Sequence, residues 1–175
     1  MLVVTGCTAG TPRPLTPSIA GVQVYRGLSN RHLTKGQYPQ VYPQSPPVGG
    51  PHSPAWLKCG VYDRQVPKEN AVHSLEHGAV WITYQPELTA AQVSVVVALA
   101  NAHREYVLVS PYSGQDAAVI ATAWGLQLRV QSPDDPRLAE FVRTYAGGNQ
   151  GGEQGSGCTN GATLAQAEEY DASAR

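Results

Sequence analysis

The residues best suited to chemistry are histidines, two of which lie four positions apart in His73-Ser-Leu-Glu-His77. On a helix, both imidazoles would lie on one face about one turn apart, which is the geometry of a chelating pair. His52 follows Gly-Gly-Pro, a restricted backbone that would orient its ring, and His32 begins the same loop region. We therefore predict a metal site formed by His32, His52, His73 and His77.

Two further residues beside this pattern have other expected roles. We expect Glu76 to orient a ligand imidazole without binding the ion itself, or to be a carboxylate on the helix surface. His103 lies beside Arg104 at the end of a predicted helix, where a cation suits the helix dipole, so its expected role is structural. The alternative for the histidines is that they are ordinary surface or core residues, since helical spacing also arises by chance.

The donor types indicate which ion such a site would take. Four imidazoles with no nearby thiolate suit Cu(II) and Zn(II) and suit Ca(II) or Mg(II) poorly. Met1 is the only methionine, which argues against a methionine-rich Cu(I) carrier, and structural zinc sites normally use cysteine. We expect copper, cycling between Cu(I) and Cu(II), with zinc as the second choice.

Composition excludes other classes of protein. The chain has 175 residues, enough for one domain with flexible ends, and only 14% of them are charged. A net charge of −1 gives no sign of the basic surface that a nucleic-acid-binding protein carries. The longest apolar stretch, residues 93–100, is too short for a transmembrane helix.

Cys7 stands apart from the other two cysteines. The segment Val4-Thr5-Gly6-Cys7 is typical of a bacterial lipobox, in which the cysteine is lipidated and becomes the mature N-terminus. A complete signal peptide also has a basic region and a longer apolar stretch, so we expect the natural start to lie upstream. The sequence thus predicts a lipid anchor in the bacterial cell envelope, on the periplasmic side or at the cell surface. The alternative is an ordinary N-terminus with a chance cysteine.

Cys59 and Cys158 are the natural disulfide partners in an exported chain, because oxidising compartments favour that state. The bridge would close a loop of roughly 100 residues and contribute about 4–5 kcal/mol on the chain-entropy model. Two free buried thiols are the alternative.

The elements that must position these residues come from hydrophobic periodicity and turn signals. Residues 69–77 predict a short helix ended by Gly78, and 79–84 a strand. A helix capped by Thr89 follows, then strands at 106–109, 118–124 and 126–130 and a last helix capped by Asp135. The predicted fold is α+β: a small antiparallel sheet covered on one face, two to three helices, and a Pro/Gly-rich N-terminal loop layer. The predicted organisation is a signal remnant, lipobox and linker at 1–20, a single metal-binding domain at 21–160 and a flexible tail at 161–175.

Several motifs together resemble a known bacterial family. They are Gly21-Val22 leading to His32, the segments 45–52 and 59–63, the block Val72-His-Ser-Leu-Glu-His-Gly-Ala-Val-Trp-Ile-Thr-Tyr84, the segments 110–112 and 123–125, and Cys158. In these the chain resembles domain of unknown function 3105 over roughly residues 21–160. The resemblance implies that His32, His52, His73 and His77 belong to a shared pattern, whereas His103 does not.

Three functions are open for such a site. Copper held by histidines alone in the envelope suggests superoxide dismutation, similar in chemistry but not in fold to copper-only superoxide dismutases. A non-enzymatic copper-binding or copper-buffering lipoprotein, or a structural subunit of an envelope protein complex, is the alternative. His73-x-x-Glu76-His77 also equals the inverted zinc-peptidase signature, with Glu76 as general base. That chemistry needs a long helix and a further carboxylate ligand, whereas Gly78 and a strand follow here at once.

Overall fold

The computed structural model describes residues 17–153 and 157–174. Its elements in chain order are β1 (Gln23–Val24), β2 (Gly60–Val61), α1 (Lys68–Glu76), β3 (Val80–Tyr84), α2 (Ala90–Ala102), β4 (Val107–Pro111), β5 (Val119–Ala123), β6 (Leu126–Val130), α3 (Pro136–Tyr145) and α4 (Leu164–Ala174). The α+β class predicted from the sequence is confirmed.

The six strands form one sheet in the order β1-β6-β5-β3-β4-β2. The sheet is mixed, in contrast to the antiparallel sheet predicted. β3 runs antiparallel to β5 but parallel to β4, with Val80 opposite Val107 and Thr83 opposite Ser110. The reason is the connection: α2 lies between β3 and β4, and a crossover of that length returns the chain in the same direction.

Both faces of the sheet are buried, and alternate residues along β3 define the two sides. Val80 and Ile82 pack into one core with the apolar faces of α2 and α3. Trp81 packs into a second core that contains Ala71, Val72 and Leu75 of α1. The sheet is therefore covered on both sides, whereas coverage of one face was predicted. The short helix α1 covers the second face.

Local signals in the sequence explain where the helices begin and end. Thr89 and Gln92 form a reciprocal capping box at the start of α2. Asp135 accepts a hydrogen bond from the backbone N–H of Arg137 at the start of α3. After α1, Gly78 has a φ of 89°, a left-handed conformation that favours glycine. These termini are the predicted ones.

Helix α4 forms in a stretch for which a flexible tail was predicted. Thr163 and Gln166 bond reciprocally at its start, and Ala167 is buried in the second core. The Cys59–Cys158 disulfide brings the tail to this face, with a Cα–Cα distance of 5.0 Å. The disulfide prediction is confirmed, and the free-thiol alternative is wrong.

Residues 25–59 contain no helix or strand, and Leu28, Tyr42 and Trp56 in this stretch pack against the second core. That they form a distinct loop layer stays a prediction. The lipobox and Cys7 lie outside the described residues. Within the described ranges, none of the helices has the length and apolar character needed to span a bilayer.

Candidate metal centre

Helix α1 and the loop before it place His73 beside His52. The backbone N–H of Leu57 donates to Asn70 O, and the Ser74 hydroxyl donates to Leu57 O at 2.7 Å. These bonds hold the loop of residues 52–57 alongside α1. As a result, the centroids of the His52 and His73 rings lie 4.7 Å apart. Both side chains are buried, with residue exposures of 0% and 2%.

Backbone pairing places His32 against the same loop. Leu33 N–H donates to His52 O at 2.7 Å, and His52 N–H donates to Arg31 O at 3.1 Å, so His32 and His52 form a parallel β-bridge. The His32 ring is 5.0 Å from that of His52 and 4.8 Å from that of His73. His32 is exposed, and it forms the solvent side of the cluster.

His77 completes the group of four. It directly follows α1, one turn after His73, and the Nε2 atoms of the two residues are 3.1 Å apart. Trp56 stacks on the His77 ring at 4.6 Å with an interplanar angle of 27°. The structure thus brings together all four histidines for which a metal role was predicted. His103 belongs to neither of the potential metal-binding groups found in the described residues, and it lies at the C-terminus of α2.

Two carboxylates join the histidines, so the cluster is not made of histidine alone. Glu76 Oε2 lies 3.0 Å from His52 Nε2, and Glu76 is 1% exposed. The sequence predicted that Glu76 orients a ligand imidazole, and its oxygen lies against His52 Nε2, the nitrogen that would bind an ion. Glu153 Oε2 lies 2.9 Å from His77 Nε2 and 3.7 Å from His73 Nε2.

Glu153 was not found from the sequence, and the reason is its distance along the chain. It lies in residues 147–153, which we call the glycine segment, and Gly147 N–H donates to Gly78 O at 2.9 Å. Gly151 packs so closely on the end of α1 that a Cβ there would lie 2.0 Å from Glu76 O. An acidic residue within a glycine-rich stretch was the available signal.

Hydrogen bonds fix which imidazole nitrogen is free. Nδ1 of His52 lies 2.8 Å from Gly50 O, and Nδ1 of His73 lies 2.7 Å from Ser53 O. A carbonyl oxygen only accepts hydrogen bonds, so each Nδ1 carries the proton and each neutral ring presents a lone pair at Nε2. Metal-ligating histidines commonly show this arrangement, with one nitrogen bonded to a carbonyl and the other to the ion.

The electrostatics favour neutral rings at His52 and His73. Burial lowers the pKa of His52 to about 4. Burial, and then the neighbouring His52 and His77, lower the pKa of His73 to about 4. Burial and the nearby Glu153 carboxylate raise the pKa of Glu76 to about 7, although a hydrogen bond from Asn30 lowers it. For Glu153, burial raises the pKa, but the adjacent His73 and His77 outweigh burial and hold it below its usual value.

The atoms His73 Nε2, His77 Nε2 and Glu153 Oε2, which we call the first triad, match the size of a transition-metal ion. They form a triangle with sides of 3.1, 2.9 and 3.7 Å. The point equidistant from its corners lies about 1.9 Å from each, so an ion just out of the plane would have the usual ligand distances of about 2.0–2.2 Å. The three donors would occupy one side of that ion and leave its other side open.

The chain was compared with known proteins. It matches the family model described as Protein of unknown function (DUF3105) over residues 34–160. No match was found among curated proteins or solved structures. The motif resemblance seen in the sequence is therefore confirmed over residues 34–160, and the chain belongs to the DUF3105 family. His32 lies outside the matched residues, so its place in the shared pattern stays a prediction.

Proposed function

We propose that this protein is an extracytoplasmic copper-binding protein whose ion is held by the first triad. The observation that carries the proposal is the fit of His73, His77 and Glu153 to an ion with ligand distances of about 2 Å. The Nε2 lone pair of His73, left free because its Nδ1 proton is donated to Ser53 O, adds to it. An extracytoplasmic location is supported by the Cys59–Cys158 disulfide, since oxidising compartments preserve such bonds.

Copper is favoured by the type of donor. Two imidazoles and a carboxylate form a nitrogen and oxygen site, and at such sites the affinity of divalent ions rises to a maximum at Cu(II). Zinc is the second choice, since two histidines and one glutamate also bind catalytic zinc. Anchoring in the envelope through lipidated Cys7, and assembly there with a protein complex, belong to the same proposal and rest on the lipobox segment 4–7.

Superoxide dismutation is the enzymatic form of the proposal. Three protein ligands leave positions open on the ion, which separates a catalytic site from a closed storage site. Glu153 is 49% exposed at its side chain, so a small anion would reach that side from solvent. The reaction consumes two superoxide ions and two protons and yields dioxygen and hydrogen peroxide, with the electron passed through the copper. Copper buffering without catalysis is the form expected if the open side admits no reaction.

One feature that the zinc-peptidase alternative requires is present among the described residues, and another is not. Glu153 supplies the distant carboxylate ligand that the inverted signature requires. Glu76, however, is directed at His52 Nε2 at 3.0 Å, whereas a general base must face a water on the ion. Copper binding is therefore the better-supported proposal.

The test begins with metal-free protein titrated with Cu(II) and with Zn(II) against a competing chelator. We expect tighter binding of Cu(II), its loss in the His73→Ala/His77→Ala variant, and full retention in His103→Ala. Superoxide dismutase activity of the copper-loaded protein, absent from the double variant, would support the enzymatic form. A preference for Zn(II), or Cu(II) binding unchanged in the double variant, would contradict the proposal.

A further inference from the structure

Three metal-ligand residues lie beside the first triad and are not used by it. Ligand atoms of His32, His52 and Glu76 lie, together with one of His73, within 4.8 Å of one another. His73 cannot serve two ions with one lone pair, because its Nδ1 proton is donated to Ser53 O. If its Nε2 belongs to the first triad, the other three residues remain as a separate set.

We propose that the cluster holds two divalent transition-metal ions, the second bound by a second triad of His32, His52 and Glu76. The inference rests on the proposed function for the first ion. The six ligands divide without overlap into two sets of two histidines and one glutamate, and His73 lies at their boundary.

The strongest observation for the second triad is a buried contact between two atoms rich in electrons. His52 Nε2 and Glu76 Oε2 face each other at 3.0 Å, and neither has a hydrogen-bond partner. His52 is fully buried, and its proton is on Nδ1, bonded to Gly50 O. A lone pair and a carboxylate oxygen in a buried site need a cation or a proton between them, because leaving them unpaired is costly.

Charge also favours the division into two triads. Two divalent ions in one site repel strongly, and each needs negative charge close by. Each triad contains one carboxylate, Glu76 in the second and Glu153 in the first. Known two-metal sites place their ions about 3.5–4 Å apart, so ions held in adjoining triads would be close enough to need this negative charge.

His32 gives the second triad its access. Its backbone is fixed by the bridge to His52, but its side chain is exposed, whereas His52 and Glu76 are buried. An ion would therefore enter on the His32 side. Because His32 is exposed, its removal should leave the fold intact, which makes it the best position for a test.

The test combines metal content with electron paramagnetic resonance on the full chain equilibrated with Cu(II) and a weak competing chelator. We expect two copper ions per chain in the wild type, one in His32→Ala, and two in His103→Ala as the matched histidine control. Glu153→Gln should also lose one ion and keep the other. Two Cu(II) ions in one site should couple magnetically, giving fewer than two independent spins per chain, and His32→Ala should restore a simple single-ion spectrum.

The outcomes separate this inference from the proposed function. One ion in the wild type that depends on Glu153 but not on His32 would overturn the second triad and leave the first intact. Two ions without magnetic coupling, or two ions lost together in either variant, would also overturn it. No bound copper at all would refute the proposed function itself.

Discussion

At the scale of single residues, the site depends on carbonyl groups that hold imidazoles in one tautomer. Gly50 O and Ser53 O each accept the Nδ1 proton of a histidine, so His52 and His73 present their Nε2 lone pairs toward the cluster. Stacking of Trp56 on His77 restricts a third ring. The chain thus orients its donors before any ion binds, which reduces the entropy that binding would cost.

Glu153 offers the sharpest prediction at this scale. Glu153→Gln keeps the size of the side chain but removes the anionic ligand. We therefore expect the affinity for the first copper ion to fall about 100-fold or more, beyond the effect of replacing a residue that only supports a ligand. Its side chain is 49% exposed, so the thermal stability of the metal-free protein should not change. Chelator competition measures the affinity, with the exposed Glu169→Gln as control. Equal affinities for the two variants would remove Glu153 from the site.

Residue spacing predicts part of this arrangement and misses the rest for a definite reason. The interval of four between His73 and His77 is a local signal, and the structure brings the pair together as predicted. The contact of Glu153 with these two histidines joins residues that are far apart in the sequence. It depends on the Gly147–Gly78 hydrogen bond and on tertiary packing against α1, which no spacing along the chain records.

At the scale of elements, the end of α1 is where the glycine segment meets the site. Gly151 lies against Glu76 O so closely that any side chain would force the two apart.

Most of the helices and strands could be predicted from hydrophobic periodicity and helix caps. Two further features of the fold could have been predicted from the sequence. A helix between β3 and β4 indicates parallel pairing of these strands, and the spacing of Thr163 and Gln166 indicates a capping box at the start of α4.

Gly151→Ala should therefore weaken metal binding without touching a ligand. The added methyl group would clash with Glu76 O and displace the segment that carries Glu153, so we expect the affinity for copper to fall about 10–100-fold. Gly148→Ala is the matched control, because the atoms nearest to its Cβ belong to the side-chain amide of Gln150, which donates to Tyr145 O, and not to the backbone of α1. Isothermal titration calorimetry of both variants with Cu(II) measures the two affinities. An unchanged affinity in Gly151→Ala would show that the glycine segment does not position Glu153.

At the scale of the whole molecule, the disulfide connects residues 99 positions apart and holds the tail against the second core. Cys59 N–H donates to Cys158 O, and Cys158 N–H donates to Glu105 O, so the bridge is embedded in backbone pairing. Glu153 lies shortly before Cys158 in the chain, and α4 lies shortly after it. We therefore expect oxidation of the two cysteines to stabilise the fold.

Replacement of both cysteines by serine should lower the free energy of unfolding by about 4–5 kcal/mol, the chain-entropy value for a loop of this length. Urea denaturation measures the loss. A reducing agent should shift the wild type toward the variant and leave the variant itself unchanged. A wild-type midpoint that is insensitive to reduction would contradict a stabilising role for the bridge.

The central claim is that His73, His77 and Glu153 hold a copper ion, and the most direct measurement is anomalous diffraction at the copper absorption edge from crystals grown with Cu(II). We predict a peak about 2.0–2.2 Å from His73 Nε2, His77 Nε2 and a Glu153 oxygen. Copper bound elsewhere, with no peak among these three atoms, would contradict the account.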